Sequence, residues 1–261
     1  MLRASGLPAS WSDSLFARER LSNLTGRITL ISGSTRLVAL LGQPVAGSLS
    51  PRMQNAAFAA RGLDWAYVAC EVAPERLEAA IRGLPALGFA GANITAPHKQ
   101  AAAELCDEAD GSSVNTLLFR DRCVSGFNTD RAIVAGIEAD RVCVIGAGGA
   151  AQALLPALLG EVRVFSRGGS WPPDASNADL IVNATPVRDE LLVEPRAGQI
   201  VVDLAYRADG RPTAFVEAAR AAGCEVIDGL EALVRQGAAS FELWTGVTPP
   251  VNAMRAAVRS A

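Results

Sequence analysis

The sequence contains one histidine, one lysine and no Cys-x-x-Cys pair, and these scarcities exclude several kinds of site. A single histidine, His98, excludes a multi-histidine metal centre. The cysteines are odd in number and far apart, which predicts a reduced, cytoplasmic protein without disulfides or structural zinc. We therefore expect no metal. The five cysteines are Cys70, Cys106, Cys123, Cys143 and Cys224.

The chain also lacks an excess of positive charge. It has 24 basic and 27 acidic side chains and a net charge of −3, which argues against nucleic acid or an anionic membrane as partner. Residues 1–30 have no apolar stretch typical of a secretory signal, since Asp13, Glu19 and several arginines interrupt them. We expect a monomer or homodimer that acts on a small molecule.

Lysine is almost absent, and its one occurrence is therefore informative. Arginine supplies 23 of the 24 basic residues, and Lys99 lies next to His98. An arginine does not give up its proton near neutral pH, whereas a desolvated or paired lysine does. Lys99 is thus a candidate for proton transfer, the alternative being a surface lysine retained by chance.

Strand-like and helix-like segments alternate over most of the chain. This alternation predicts an α/β protein with mostly parallel sheets, whose ligands bind at the carboxyl ends of the strands. The predicted strands are 36–42, 65–72, 89–94, 114–119, 123–127, 142–146, 162–166, 180–183, 200–204 and 225–227.

Proline and hydroxyl residues mark the predicted helix starts. Ser50 is expected to cap a helix that has Pro51 at its first position. Pro74 and Pro97 are expected to open two further helices, the second of which carries Lys99. Thr129 is expected to start another.

A glycine-rich turn follows the strand at 142–146. Residues 146–151 read Gly-Ala-Gly-Gly-Ala-Ala, which fits the dinucleotide-binding pattern G-x-G-x-x-A in a strand–turn–helix context. A tight turn without a ligand is the alternative. The candidate cofactor-binding residues of this turn are Gly146, Ala147, Gly148, Gly149 and Ala150.

The residue that selects between NAD and NADP is expected about 20 residues further on, at the end of the next strand. Ser166 and Arg167 occupy that place, and no acidic residue is there to bind a ribose hydroxyl. A guanidinium pairs well with a phosphate, so the sequence favours NADP over NAD. A solvated arginine is the alternative.

Polar side chains follow several predicted strands of the first half. Each alone has a structural explanation, such as a helix cap or a loop bridge. Together they offer hydroxyls, amides, one amine and one carboxylate, a set that suits a small polyhydroxylated anion beside a nicotinamide ring. They are Ser48, Ser50, Asn93, Thr95, Lys99, Asn115, Asn128, Thr129 and Asp130.

These segments, taken in order, resemble the shikimate dehydrogenase family over roughly residues 36–261. The strings most specific to that family are GFAGANITAPHK (88–99) and DGLEALVRQGAASFELWTG (228–246). The others are LLGQPVAGSLSPRMQNAAF (40–58), SVNTL (113–117), GFNTD (126–130), VIGAGGAAQA (144–153), NATP (183–186) and DLAY (203–206).

The resemblance implies NADP-dependent reduction of 3-dehydroshikimate to shikimate, with Lys99 and Asp130 as the catalytic pair. It implies a substrate domain (36–130 and 236–261), a shortened Rossmann-type NADP domain (131–235) and an N-terminal extension (1–35). Substrate contacts are implied at Ser48, Ser50, Asn93, Thr95, Asn115, Tyr206 and Gln236. Cofactor contacts are implied at the glycine turn and at Ser166, Arg167, Asn183, Thr185 and Gly229.

The sequence departs from the family pattern in the cofactor half. Only the segment 168–178 separates Arg167 from Asp179, too little for the usual helix and strand. Fully extended, this segment spans roughly 36 Å, enough to return along a strand and cross two strand spacings. We expect a sheet that lacks one edge strand, and we expect Pro156 to kink the helix after the glycine turn.

Two arginines, Arg131 and Arg188, stand where the family has glycine near the expected nicotinamide path. They leave other functions open. One is a quinate or aminoshikimate dehydrogenase. Another is a binding protein that retains the substrate pocket without productive cofactor binding.

Overall fold

The computed structural model describes residues 31–121 and 123–260, which form two β-sheets with helices on their faces. The predicted extension at 1–35 therefore lies largely outside the described residues, as does Arg122 in the predicted hairpin turn. The α/β class is confirmed. Within the described residues, no helix is long and apolar enough to cross a membrane.

The first sheet begins with a parallel core. Strands β1 (Arg36–Gly42), β2 (Trp65–Glu71) and β3 (Phe89–Ile94) are parallel, with β1 in the middle. α1 (Ser50–Arg61) connects β1 to β2. A 3₁₀ turn at Pro74–Arg76 leads into α2 (Leu77–Ala86), which connects β2 to β3. Short helix α3 (Lys99–Glu104) follows β3.

An antiparallel hairpin extends this sheet beyond β3. The two-residue strand β4 (Glu108–Ala109) precedes it in the chain and forms the far edge of the sheet. β5 (Thr116–Arg120) forms the predicted hairpin with β6 (Cys123–Phe127) and also pairs with β3. The strand order is β2-β1-β3-β5-β6-β4.

Three predicted helix starts need correction. Ser50 is the first residue of α1 and does not cap it; instead the Ser48 hydroxyl accepts the Ser50 N–H at 3.2 Å, which completes that turn outside the helix. Pro97 lies ahead of α3, whose cap position is His98. Thr129 does begin a helix, but it is a short 3₁₀ helix (Thr129–Ile133) capped by the Asn128 side chain.

The second sheet is parallel throughout and has five strands in the order β11-β10-β9-β7-β8. Their bounds are β7 (Arg141–Ile145), β8 (Glu161–Phe165), β9 (Leu180–Asn183), β10 (Ile200–Asp203) and β11 (Glu225–Ile227). α4 (Gly149–Leu154) and α5 (Ala214–Ala221) cover opposite faces of this sheet.

The predicted loss of one edge strand is confirmed, because β8 is itself the edge of the described sheet. The segment 168–178 contains no helix or strand and packs Ala175 against the sheet face that α5 also covers. The Gln199 amide fixes this segment by donating to the Ala175 and Ala178 carbonyls at 3.0 and 2.8 Å. A segment of turns, anchored by Gln199, thus connects β8 to β9.

The expected kink at Pro156 is wrong, because the α-helix ends before it. α4 stops at Leu154, and Pro156 lies in a separate 3₁₀ turn, Leu155–Ala157. Proline removes an amide donor and clashes with the preceding turn, which explains why the helix does not continue.

Helix α6 (Gly229–Thr245) joins the two sheets. Asp228 caps it by accepting the Glu231 N–H at 2.9 Å. Its residues Val234, Phe241 and Trp244 enter the core of the first sheet with α1 and α7 (Val251–Arg259). Ala232 faces the core of the second sheet. The predicted domain boundary at 235/236 falls inside this continuous helix.

Gly91 in β3 lies where the sheet and α6 approach most closely. A Cβ there would sit 2.3 Å from the Leu117 carbonyl and 2.4 Å from Trp244 Nε1, and these two atoms are themselves hydrogen-bonded at 2.9 Å. Neither the strand backbone nor a buried indole can yield cheaply, so only glycine fits.

We predict that Gly91→Ala lowers the free energy of unfolding by about 1–3 kcal/mol, the usual cost of overpacking. The matched control is Gly83→Ala in α2, where nothing lies within 4 Å of the added Cβ and helix propensity favours alanine. It should stabilise the protein by about 0.5–1 kcal/mol. Urea titration of both variants checks this; equal effects would show that the contact is not tight.

Candidate active site

A cleft of about 210 Å³ lies between the two sheets, at the carboxyl ends of their strands. Its walls come from the ends of β1, β3 and β10, from the glycine turn after β7 and from α6. The predicted site residues that line it are Ser48, Ser50, Asn93, Thr95, Lys99, Asn115, Asp130, Ala150, Tyr206, Gly229 and Gln236.

Lys99 and Asp130 form an ion pair at the centre of this cleft. Lys99 is the first residue of α3, and Asp130 belongs to the 3₁₀ helix Thr129–Ile133. Their side chains are only 18% and 11% exposed. Because little water reaches the pair, the ammonium group is held in one place rather than sampling many rotamers.

Asn115 fixes the second oxygen of the Asp130 carboxylate. Its amide nitrogen donates to Asp130 Oδ1 at 2.8 Å, while Lys99 holds Oδ2. Its amide oxygen accepts from the Thr129 backbone at 2.7 Å and from the Thr129 hydroxyl at 3.0 Å. The carboxylate therefore has both oxygens occupied by donors whose own positions are fixed.

Behind Asn115 lies a buried cluster of hydroxyls that the sequence analysis missed in part. The Ser240 hydroxyl, on α6, lies 2.8 Å from the Thr116 hydroxyl and 3.1 Å from the Thr129 hydroxyl. It also accepts from the Asn93 amide at 3.0 Å. Ser240 lies in the family-specific string 228–246, but a serine within an apolar helix gives no further signal by itself.

Tyr67 was also missed, because it lies inside a predicted core strand. Its hydroxyl donates to Asn93 Oδ1 at 2.8 Å. Burial raises the pKa of Tyr67, and a hydrogen bond with Ser50 opposes that rise only in part. The tyrosine is therefore a neutral donor that links Ser50 to Asn93.

Tyr206 and Ser48 also line the cleft. Burial raises the pKa of Tyr206, while the Leu49 backbone, the positive charge of Arg188 and the Ser48 hydroxyl favour its ionised form. Both side chains face the cleft. They add two hydroxyls beside that of Ser50.

The two remaining predicted substrate residues also reach the cleft. The Thr95 backbone N–H donates to the Leu41 carbonyl at 2.9 Å, which places this side chain beside Gly42. The Gln236 amide donates to the Leu233 carbonyl at 2.8 Å, within the same helix.

The glycine turn after β7 has the geometry that a dinucleotide requires. Gly146 has φ +110°, and a Cβ there would lie 3.0 Å from the Ala184 carbonyl. Gly148 and Gly149 instead face open space, since a Cβ at either position would have nothing within 4 Å. The backbone at the start of α4 is thus exposed for close approach by a phosphate.

Arg167 lies just beyond β8 and is exposed. Within the described part of the chain its guanidinium makes no ion pair, and it lies 5.7 Å from the ring centroid of Trp171. The loop is tight, since the Ser166 N–H donates to the Ser170 carbonyl at 3.1 Å. A free cation beside an exposed glycine turn fits a cofactor that carries an additional phosphate.

Asn183 and Thr185 support the glycine turn from β9. Asn183 is buried; its amide donates to Asp203 at 2.9 Å and its oxygen accepts from the Thr185 hydroxyl at 2.7 Å. Burial raises the pKa of Asp203, against the effect of its hydrogen bonds. Thr185 lies against Gly146. Gly229 is confined as well, since a Cβ there would lie 2.3 Å from the Ala205 carbonyl.

The two unexpected arginines have different surroundings. Arg131 donates to the Asp110 carbonyl at 3.0 Å and approaches the Asp110 carboxylate at 3.5 Å, which holds it away from the cleft. Arg188 lines a second cavity that shares a wall with the cleft.

Two family models match the chain. One, described as the shikimate dehydrogenase substrate binding domain, matches residues 40–116. The other, described as the shikimate 5'-dehydrogenase C-terminal domain, matches residues 229–259. The matched ranges contain Lys99 and the α6 residues of the site.

Curated relatives match over most of the chain. The shikimate dehydrogenase (NADP(+)) of Moorella thermoacetica is 40% identical over 88% of this chain and 95% of its own length. That of Rubrobacter xylanophilus is 40% identical over 87% of this chain and 97% of its own. The Moorella alignment runs over 282 positions, more than the 261 residues of this chain, so that relative contains segments that this chain lacks.

Solved structures agree with the fold. A shikimate dehydrogenase in complex with NADP+ superposes with a TM-score of 0.80, at 31% identity, and covers 88% of this chain and 97% of its own. The Thermus thermophilus enzyme in complex with NADP(H) and shikimate superposes with a TM-score of 0.76 at 34% identity. This match covers 87% of this chain and 99% of that chain.

We predict that Ser240→Ala lowers the free energy of unfolding by about 1–3 kcal/mol, because it leaves buried polar groups of Asn93, Thr116 and Thr129 short of a partner. Ser170→Ala, at an exposed loop position, is the control and should change stability by less than about 0.5 kcal/mol. Thermal and urea unfolding measure both. Unchanged stability of Ser240→Ala would show that the hydroxyl cluster does not support the site.

Proposed function

The chain belongs to the shikimate dehydrogenase family, and from this we infer that it catalyses the reversible NADP-dependent reduction of 3-dehydroshikimate to shikimate. The observation that carries this function is the cleft, which is lined both by the paired Lys99 and Asp130 and by Ala150 of the glycine turn. One side of that cleft is lined with hydroxyls and amides, and the other side has the geometry of a dinucleotide site.

We propose that the substrate's carboxylate contacts the hydroxyls of Ser48, Ser50 and Tyr206. Its ring hydroxyls would contact Thr95 and the exposed parts of Asn93, Asn115 and Gln236. Supporting this assignment, all seven residues line the cleft.

We propose that the glycine turn and Arg167 hold NADP, with Ser166 and Gly229 beside them. The exposed backbone at Gly148 and Gly149 suits the pyrophosphate, and the free guanidinium of Arg167 suits the 2′-phosphate. Asn183 acts by positioning Thr185 and the turn, since its own side chain is buried in hydrogen bonds.

The residues around the ketone supply the proton and stabilise the developing charge. When bound, NADPH supplies the hydride that the carbonyl carbon accepts. The Lys99 ammonium stabilises the negative charge that then develops on the carbonyl oxygen, and it transfers a proton to that oxygen to complete the hydroxyl. Asp130 keeps the amine aimed at one position. In the reverse direction, neutral Lys99 removes the hydroxyl proton.

The alternatives are less well supported. The curated relatives at 40% identity are shikimate dehydrogenases, whereas the quinate dehydrogenase of Corynebacterium glutamicum is 26% identical. A binding protein without catalysis would have no need for an intact pair of Lys99 and Asp130. We further propose a cytoplasmic enzyme, because all five cysteines carry free thiols. A monomer or homodimer stays a prediction.

The direct test of the function is NADPH formation from NADP+ and shikimate, followed by absorbance, with quinate and NAD+ as control substrates. We expect turnover with shikimate and NADP+ above all other pairs. A folded sample that binds shikimate by calorimetry and yet turns over no pair would contradict the proposal and favour the binding protein.

We predict that Lys99→Ala lowers kcat by at least about a hundredfold, because proton transfer of this kind contributes two to four orders of magnitude. Shikimate affinity by calorimetry should stay within about tenfold, since the hydroxyl wall remains. Lys99→Arg keeps the charge but cannot donate readily, so it should be similarly slow. A Lys99→Ala enzyme with most of its rate would rule out the proton-transfer role.

We predict that Arg167→Ala weakens the binding of NADPH by about ten- to a hundredfold, which corresponds to the loss of one hydrogen-bonded charge pair. The binding of NADH should weaken much less. Arg163→Ala, which removes another exposed cation, within β8 itself, is the control and should leave the ratio of NADPH affinity to NADH affinity unchanged. Binding titrations measure both cofactors. Equal losses for the two cofactors would contradict recognition of the 2′-phosphate.

A further inference from the structure

A second cavity, of about 630 Å³, opens beside the substrate cleft. Ser48, Thr95 and Tyr206 line both cavities, so these three side chains form the wall between them. The remaining lining of the second cavity comes from the loop after β1 and from the segments that contain Arg188 and Arg207. A group that enters the second cavity would therefore meet the hydroxyl side of the substrate site.

This cavity contains an uncompensated positive charge. Arg207 also lines it, but Arg207 is ion-paired with Asp189. Asp209, the acidic residue of the described lining, is paired with Arg211 at 2.7 Å. Within residues 31–121 and 123–260, the Arg188 guanidinium has neither an ion pair nor a side-chain hydrogen bond. Among the described residues, Arg188 is thus an unpaired cation that lines the same cavity as Ser48, Thr95 and Tyr206.

The electrostatic influence of Arg188 already reaches the shared wall. Its charge is one of the causes that oppose the burial-driven rise of the pKa of Tyr206. The Tyr206 hydroxyl is also close to Ser48. An anion held by Ser48 and Tyr206 would therefore lie within the field of the guanidinium.

The second cavity adjoins the substrate side of the cleft and not the cofactor side. The described lining of the second cavity includes no residue of the glycine turn and does not include Arg167. Arg188 therefore shares a cavity with Ser48 and does not share it with the turn at which the phosphates of a dinucleotide would bind.

Building on the proposed function, we propose that Arg188 is a specificity-determining residue that binds the substrate's carboxylate from the second cavity. The hydroxyl wall alone offers only neutral donors, and a guanidinium adds a charge-assisted hydrogen bond to them. The arginine then strengthens binding of the hydroxylated carboxylic acid in the ground state and the transition state equally. It should affect KM and leave kcat nearly unchanged.

The test is calorimetric titration of shikimate into the cofactor-free wild-type protein and Arg188→Ala. We expect affinity to fall by about ten- to a hundredfold in the variant, and KM to rise in step while kcat stays within about twofold. Shikimate methyl ester, which lacks the negative charge, should bind wild type and Arg188→Ala equally. Arg188→Lys should recover part of the loss.

The control is Arg82→Ala, which removes the same charge from an arginine that is 51% exposed, is paired with Asp107 and lines neither cavity. It should bind shikimate as the wild type does. Three results would overturn the proposal: unchanged shikimate affinity in Arg188→Ala, an equal loss for the ester, or a loss confined to NADPH.

The calorimetric arm needs no turnover, so it separates this proposal from the proposed function. A wild type that is inactive but loses shikimate affinity in Arg188→Ala would contradict the function and support the carboxylate contact. An active wild type whose shikimate affinity is unchanged in Arg188→Ala would support the function and contradict the carboxylate contact.

Discussion

Asp130 divides its two carboxylate oxygens between the Lys99 ammonium and the Asn115 amide, and the geometry of the cleft depends on that division. A buried carboxylate with one free oxygen would rotate or attract water, and Lys99 would lose its fixed position. Asn115 prevents this because its own oxygen is held by Thr129. Lys99 is thus a point charge placed by a chain of buried hydrogen bonds that reaches α6 through Ser240.

Much of this could be predicted from the sequence, because the signals were local. Prolines, glycines and apolar runs predict the strands closely, and β1, β3, β9 and β11 match residue for residue. The support behind the site could not be predicted in the same way. Tyr67 resembles any core tyrosine, and Ser240 resembles any small residue of a helix. Their roles arise only when β2, β3 and α6 are packed together.

The second sheet shows how a sheet can lose an element at its edge without losing its site. β8 ends beside the glycine turn whether or not another strand lies outside it, because the Gly146 N–H bonds to the Phe165 carbonyl at 2.7 Å. The length of segment 168–178 alone predicted that it forms neither a helix nor a strand, but its anchoring by Gln199 could not be predicted. Nor did the sequence reveal that Arg131 is bound to Asp110, while Arg188 lines the second cavity and has no ion-pair partner in the described part of the chain.

The claim that Asn115 acts through Asp130 is tested most directly by a double-mutant cycle on kcat with Asn115→Ala and Asp130→Ala. The cycle uses kcat because loss of the proposed contact between Asn115 and a ring hydroxyl raises KM. We expect Asn115→Ala to cost about tenfold or more in the wild-type background, and less than about twofold once Asp130 has been changed, since the interaction it supports is then absent. Equal losses in the two backgrounds would show that Asn115 contributes independently of Asp130, and would contradict the role of Asn115 in holding the carboxylate for Lys99.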